Sequence, residues 1–180
     1  LALLVPIGDP LAQTWSRRIQ IVEGSESDVL SRYVEATKRF GSDYIVRITS
    51  DCPLIPPFVI SKHIKLAVMN RFDYVSNVDP RFRTSIDGID CEVFSQKMIE
   101  WANANSETKE EREHVTPACR LRPPPWAKIG AVIGFFDESH VKLSVDTRED
   151  LDLIRAQFEA VQQKVQAAER LYGRDCVHRF

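Results

Sequence analysis

The stretch from Ile45 to Ile55, IVRITSDCPLI, constrains this chain more than any other. Its first half is apolar without polar alternation, the pattern of a strand buried on both faces of a parallel sheet. Ser50-Asp51-Cys52-Pro53 then ends the strand. In an open parallel sheet, ligands sit outside the carboxyl ends of the strands. Asp51 therefore stands where a carboxylate can hold a hard cation against a phosphate. Arg47 is a cation inside the same apolar run. A buried charge needs a partner, and either a carboxylate or a ligand phosphate would serve, which makes Arg47 a candidate cofactor-binding residue.

The flanking sequence repeats the same logic. Leu1–Val5 and Ile19–Val22 read as strands, with Gly8-Asp9-Pro10 turning the chain between them. Ser25 can cap the next helix, with Asp28 three residues later as a capping-box carboxylate. Val29, Leu30, Tyr33, Val34, Thr37 and Phe40 recur at helical spacing until Gly41. Tyr44–Thr49 is the third strand, Pro56-Pro57 opens a helix to about Met69, and Asp73–Ser76 is a fourth strand. This alternation predicts βαβ units around a mainly parallel sheet. From Asp79 the rhythm breaks. Strands are expected at Ile89–Phe94, Ile129–Phe136 and Val141–Val145. Helices are expected from Ser95 to Asn103, Ser106 to Arg120 and Arg148 to Tyr172, with the stiff Arg122-Pro123-Pro124-Pro125-Trp126 elbow between.

At 180 residues the chain reads as a single domain, 1–180, able to bury about 70% of its unfolded surface. Its net charge of −2 gives no footprint for nucleic acid. No apolar run approaches the ~20 residues that span a bilayer, and no signal peptide is visible. The four cysteines are too widely spaced for a paired zinc site, so they read as free thiols of a cytoplasmic protein. Cys52 adjoins the candidate site, but nothing near it in sequence would activate it as a nucleophile. No Gly-rich phosphate cradle is present.

Asp146 ends the run Leu143-Ser144-Val145 just before a helix, as Asp51 ends its own strand. Two carboxylates meeting at one sheet edge suit Mg²⁺, which takes one or two carboxylates plus phosphate oxygens. Asp146 could equally be a helix cap. Asp90 and Glu92 fall two apart in SIDGIDCEVF and would share a strand face. They need cations, water or a ligand there, and a solvated face would also serve. Arg112 and His114 lie near the end of a charged helical segment, where such residues are commonly solvated or salt-bridged.

Six motifs occur in one order: EGSESDVLSRY, VRITSDCPLI, DYVSN, DGIDCEVFS, EREHVTP and SVDTREDLDLIR. In that order they resemble the spore-coat polysaccharide cytidylyltransferases, relatives of the CMP-sialic acid and CMP-Kdo synthetases, over Leu1 to Phe158. The resemblance implies a Rossmann-like, three-layer fold of the nucleotide-diphosphosugar transferase type. It also implies transfer of CMP from CTP to a sugar or sugar acid with release of pyrophosphate, in surface polysaccharide biosynthesis, with Mg²⁺. Carried over by motif, Asp51 and Asp146 are the metal and catalytic carboxylates. Ser76, Asn77, Asp87, Asp90 and Glu92 line the sugar side, and Arg112 and His114 are substrate-binding. Residues 79–136 would form a substrate and dimerisation subregion of a homodimer.

The family's opening strand and its phosphate-gripping loop, resembling A-R-x-x-S-x-R-x-x-x-K, have no counterpart in these 180 residues. The resemblance places that strand centrally, between Leu1–Val5 and Tyr44–Thr49. Without it, two strand edges are left unpaired, unless they close on each other or a second copy lends a strand. Weak CTP binding and an inactive polypeptide are expected of the sequence as it stands. Two other functions fit the same residues. One is a metal-dependent glycosyltransferase of the same fold; the other is a non-catalytic sugar-binding or assembly subunit.

Overall fold

The computed structural model describes residues 1–158. The expected extension of the last helix to Tyr172 lies outside them, as does Cys176. Two parallel strands, β1 (Ala2–Pro6) and β2 (Gln20–Gly24), are joined through the short helix α1 (Pro10–Trp15). Helix α2 (Val29–Phe40) follows, and Gly41 closes it in the left-handed region at φ 59°. Its cap is Asp28, whose side chain accepts the Ser31 N–H, rather than Ser25. The Ser25 hydroxyl instead accepts the Asp28 N–H, so the helix begins one turn later than expected and only half of the expected capping box forms.

Next come β3 (Tyr44–Arg47), α3 (Pro57–Asn70) and β4 (Tyr74–Ser76). Strand β5 (Glu92–Ser95) leads into α4 (Gln96–Asn105), capped as expected by the Ser95 hydroxyl. Strand β6 (Ile129–Ala131) completes a four-stranded sheet in the order β3-β5-β4-β6. β5 lies antiparallel between β3 and β4, while β4 and β6 are parallel. Three of these four strands therefore share a direction, with β5 the reversed one. The βαβ rhythm predicted the direction of β3 and β4, but not the later strand inserted between them.

Several expected elements are shorter or broken. The strand at 141–145 is reduced to a bridge between Asp87 and Lys142. The run at 129–136 is a strand only through Ala131. The helix expected from Ser106 to Arg120 is split into α5 (Lys109–His114) and α6 (Pro117–Leu121). Val115 lies between them at φ 69° and ψ −51°. The Thr116 N–H donates to the His114 carbonyl at 2.8 Å, making a tight γ-turn that a β-branched residue adopts only under strain. Residues 148–158 form the last helix, α7.

The two sheets do not close on each other. A cleft of about 750 Å³ separates β1 from β3, lined among others by Leu4, Arg32, Tyr33, Phe40, Val46 and Thr49. Both strands keep an open edge along it, as the resemblance implied. Part of the β1 edge is satisfied locally, because buried Arg32 donates to the Leu4 carbonyl at 3.0 Å. That guanidinium reaches β1 past Gly24, where a Cβ would stand 2.6 Å from the Arg32 side chain. The main core lies elsewhere, where Leu30 and Val34 of α2 meet Tyr74, Phe94, Met98 and Ile99. Burying each such side chain contributes roughly 1.5–3 kcal/mol.

Candidate functional site

The turn after β3 is tied to two distant segments. The Asp51 carbonyl accepts the Val145 N–H at 2.8 Å, which brings Asp51 beside Asp146. The Asp90 backbone N–H lies close enough to the Cys52 sulfur to favour its thiolate. Burial, partly offset by Thr49 and by this N–H, pushes the Cys52 thiol above its usual range, so it is not an activated nucleophile.

A second strut comes from Gly88. Leu143 donates to the Asp87 carbonyl at 2.6 Å, and Asp87 donates to the Val141 carbonyl at 2.9 Å. Gly88 sits at φ +107°, and a Cβ there would collide with the Leu143 carbonyl carbon. Only glycine allows the two backbones so close. The Asp87 side chain accepts the Ser144 hydroxyl at 3.0 Å. The two struts gather Asp51, Asp87, Asp90 and Asp146 around one edge of the molecule.

Charge within this group is arranged unevenly. Arg83 lies 3.0 Å from Asp87 and 2.8 Å from Asp90. Burial raises the Asp90 carboxyl, and Arg83 pulls it back. Lys142 lies 2.8 Å from Asp146 and 2.8 Å from Asp150. Asp51 has no ion-pair partner among the described residues; the Cys52 thiol is 3.6 Å from its Oδ1. Asn77 spends its side chain on the backbone of the same loop, donating to Ile89 at 2.9 Å and accepting from Cys91 at 2.8 Å. It positions Asp90 rather than offering free polar atoms.

The other expected site residues fall into different surroundings. Glu92 is 1% exposed, and its carboxylate accepts Arg47 at 2.6 Å, Tyr74 at 2.5 Å and Thr116 at 2.5 Å. Both oxygens are occupied, so Glu92 lines no sugar pocket; it neutralises Arg47 in the core. That answers the alternative left open for Arg47, since its partner is a carboxylate of the chain itself. Burial works against the charge on Arg47, yet Glu92 outweighs it and raises the guanidinium's pKa. The Ser76 hydroxyl is buried in the same core without a hydrogen-bond partner. Arg112 pairs with Asp28, the α2 cap, at 2.6 Å, and donates to the Asn103 carbonyl at 3.1 Å. It fastens α5 to α2, while His114 is exposed.

Sequence reasoning missed Arg83, Lys142, Ser144, Asp150 and Thr116. The i,i+4 spacing of Arg83 with Asp87, and of Lys142 with Asp146, was the available signal. Both lie outside helices, where that spacing carries no rule.

A cytidylyltransferase profile matches residues 11–171, nearly the whole chain. The chain belongs to the cytidylyltransferase family. It is 34% identical, over 145 residues, to an uncharacterized protein of Methanocaldococcus jannaschii, covering 75% of this chain and 54% of that one. A cytidylyltransferase from Leptospira borgpetersenii serovar Hardjo-bovis superposes with a TM-score of 0.75 at 27% identity. That match covers 83% of this chain and 64% of the other. A CMP:2-keto-3-deoxy-manno-octonic acid synthetase complexed with CTP superposes at 0.60 with 12% identity, a likeness of fold. It covers 89% of this chain and 81% of that one. The chain thus spans about half the length of the curated relative it matches.

Proposed function

We propose that these residues carry the metal and sugar side of an enzyme that transfers CMP from CTP to a sugar or sugar acid, releasing pyrophosphate for surface polysaccharide synthesis. The observation supporting this most directly is the Val145 N–H to Asp51 carbonyl bond, which joins the backbone at Asp51 to the residue preceding Asp146 in a chain of this family. Among the described residues no three His, Cys, Asp or Glu side chains converge on one point. A pair of hard carboxylates without a third protein ligand fits Mg²⁺, which completes its shell with water and phosphate. Asp51 and Asp146 would hold that ion, which supplies charge neutralisation at the transferring phosphoryl group.

The chain's own residues prepare the sugar side. Arg83 keeps the Asp87 and Asp90 carboxylates in place, and Asn77 fixes the loop that carries them. The subregion 79–136 exposes Phe82, Leu121, Trp126, Ile133, Phe135 and Phe136, an apolar set that supports a homodimer interface there. No helix among the described residues is long and apolar enough to cross a membrane.

Pyrophosphate release from CTP by the protein in its full natural length tests the reading. Release that needs both Mg²⁺ and a sugar acid supports it; binding of an intact nucleotide-sugar without release points to a glycosyltransferase. Asp51→Ala is expected to lower the metal-dependent rate by about 10²–10³-fold, the worth of a lost metal contact at a phosphoryl group. A wild-type rate in that variant refutes the assignment.

A further inference from the structure

We propose that Lys142 is a built-in counter-ion of the metal site, occupying Asp146 in the metal-free protein and yielding it to an incoming divalent cation. The inference rests on the two-carboxylate reading above and adds a residue that sets its affinity.

The geometry separates Lys142 from an ordinary structural ion pair. Its ammonium lies 2.8 Å from Asp146 Oδ2 and 2.8 Å from Asp150 Oδ2. The same Asp150 oxygen accepts the backbone N–H groups of Asp146 at 3.0 Å and Thr147 at 2.9 Å. The Thr147 hydroxyl in turn accepts the Asp150 N–H at 3.1 Å. This reciprocal cap satisfies the start of α7 without the lysine. Lys142 is thus unnecessary to the helix start, and Asp150 anchors it independently of Asp146. It can release Asp146 and keep a carboxylate partner.

Its placement also suits the task. The backbone of Lys142 is held opposite Asp87 by the bridge, while its side chain is 44% exposed on a flexible stem. A dication approaching Asp146 Oδ2 meets an ammonium already bound to that oxygen. Two cations sharing one carboxylate oxygen repel each other at contact range. Asp51, by contrast, carries no resident cation among the described residues. The site therefore holds one open carboxylate and one guarded one. Free divalent ions bind weakly under this arrangement, and an ion arriving on a triphosphate is favoured because the phosphates offset the lysine.

Titration with Mn²⁺ alone, followed by electron paramagnetic resonance, tests this on the wild type, Lys142→Met and Lys142→Arg. Removing one unit charge at this range, screened by water and salt, is expected to tighten Mn²⁺ binding about tenfold in Lys142→Met. Lys142→Arg keeps the wild-type affinity. Adding Asp146→Asn to Lys142→Met removes the gain, and the thermal midpoint of Lys142→Met stays near that of the wild type. Equal or weaker binding by Lys142→Met, with the wild type binding normally, overturns the inference and leaves the metal-site reading standing. Wild-type binding that survives both Asp51→Asn and Asp146→Asn overturns the metal-site reading, and the role of Lys142 with it.

Discussion

Replacing Glu92 by glutamine preserves its shape and removes one charge, so it isolates what that charge does. The side chain is 1% exposed and its partner Arg47 is 15% exposed, which leaves little solvent to compensate the change. Tyr74 and Thr116 can still donate to the amide oxygen. The amide nitrogen, however, would face the Arg47 guanidinium, a donor against a donor, and Arg47 would become a buried cation without a partner. Breaking a buried pair from one side costs about 3–5 kcal/mol. For a domain of this size each kcal/mol moves the thermal midpoint by about 2–4 °C, so the expected fall is about 6–20 °C. Urea unfolding of Glu92→Gln, Arg47→Met and the double variant supplies the check. The double variant should be more stable than the sum of the single losses predicts, by about 2 kcal/mol, because each change relieves the penalty of the other. A Glu92→Gln protein within about 0.5 kcal/mol of the wild type, uncoupled from Arg47, refutes the structural role. Glu92 would then return to the candidates that touch substrate.

Gly88→Ala should lower the thermal midpoint and weaken Mn²⁺ binding together. Its Cβ would collide with the backbone of Leu143 and Ser144, and the left-handed conformation alone costs about 1–2 kcal/mol. A normal midpoint with normal metal affinity would show that the 87–88 strut does not hold the site. His63 predicts an acid limb in stability. It is 1% exposed, donates from Nδ1 to the Val59 carbonyl at 2.7 Å, and leaves Nε2 without a partner. Burial lowers its pKa despite that bond. The unfolded chain therefore takes up the proton first, and stability falls as the pH drops below about 6.5, by at most about 1.4 kcal/mol per unit. His63→Leu should flatten the profile between about pH 6.5 and 5; an unchanged slope would assign that limb to other groups.

The parts legible in the sequence were those written in local patterns. The apolar run ending at Asp51, the glycine closing α2 and the serine capping α4 are each settled within a few residues. Both Asp51 and Asp146 stand after apolar runs, and the backbone bond from Val145 to Asp51 joins those two segments. Residues whose meaning depends on register were not. Glu92 lies opposite Arg47 on β3 and opposite Ser76 on β4, a relation set when β5 inserts between two strands that both precede it in the chain. Period-two alternation put Asp90 and Glu92 on one face. The strand begins only at Glu92, so one carboxylate belongs to a loop and the other to the core. The charged helix around Arg112 also hid its purpose, since its partner Asp28 is 84 residues away.

The cleft between β1 and β3 bears on which half of the molecule carries the chemistry. Helix α2 packs on β1 and β2 and also on α4 and α5, so it spans the gap that no backbone ladder crosses. The Arg112 to Asp28 pair fixes the start of that helix, and the Arg32 to Leu4 bond ties its first turns to β1. Asp51, Asp87, Asp90 and Asp146 all lie after β3, and the bonds that gather them run among residues 51, 83, 87, 90 and 141–146. None of those bonds crosses the cleft. The metal side of the proposed site is therefore organised by the four-stranded half alone, whereas any group that depends on the β1 edge answers to α2.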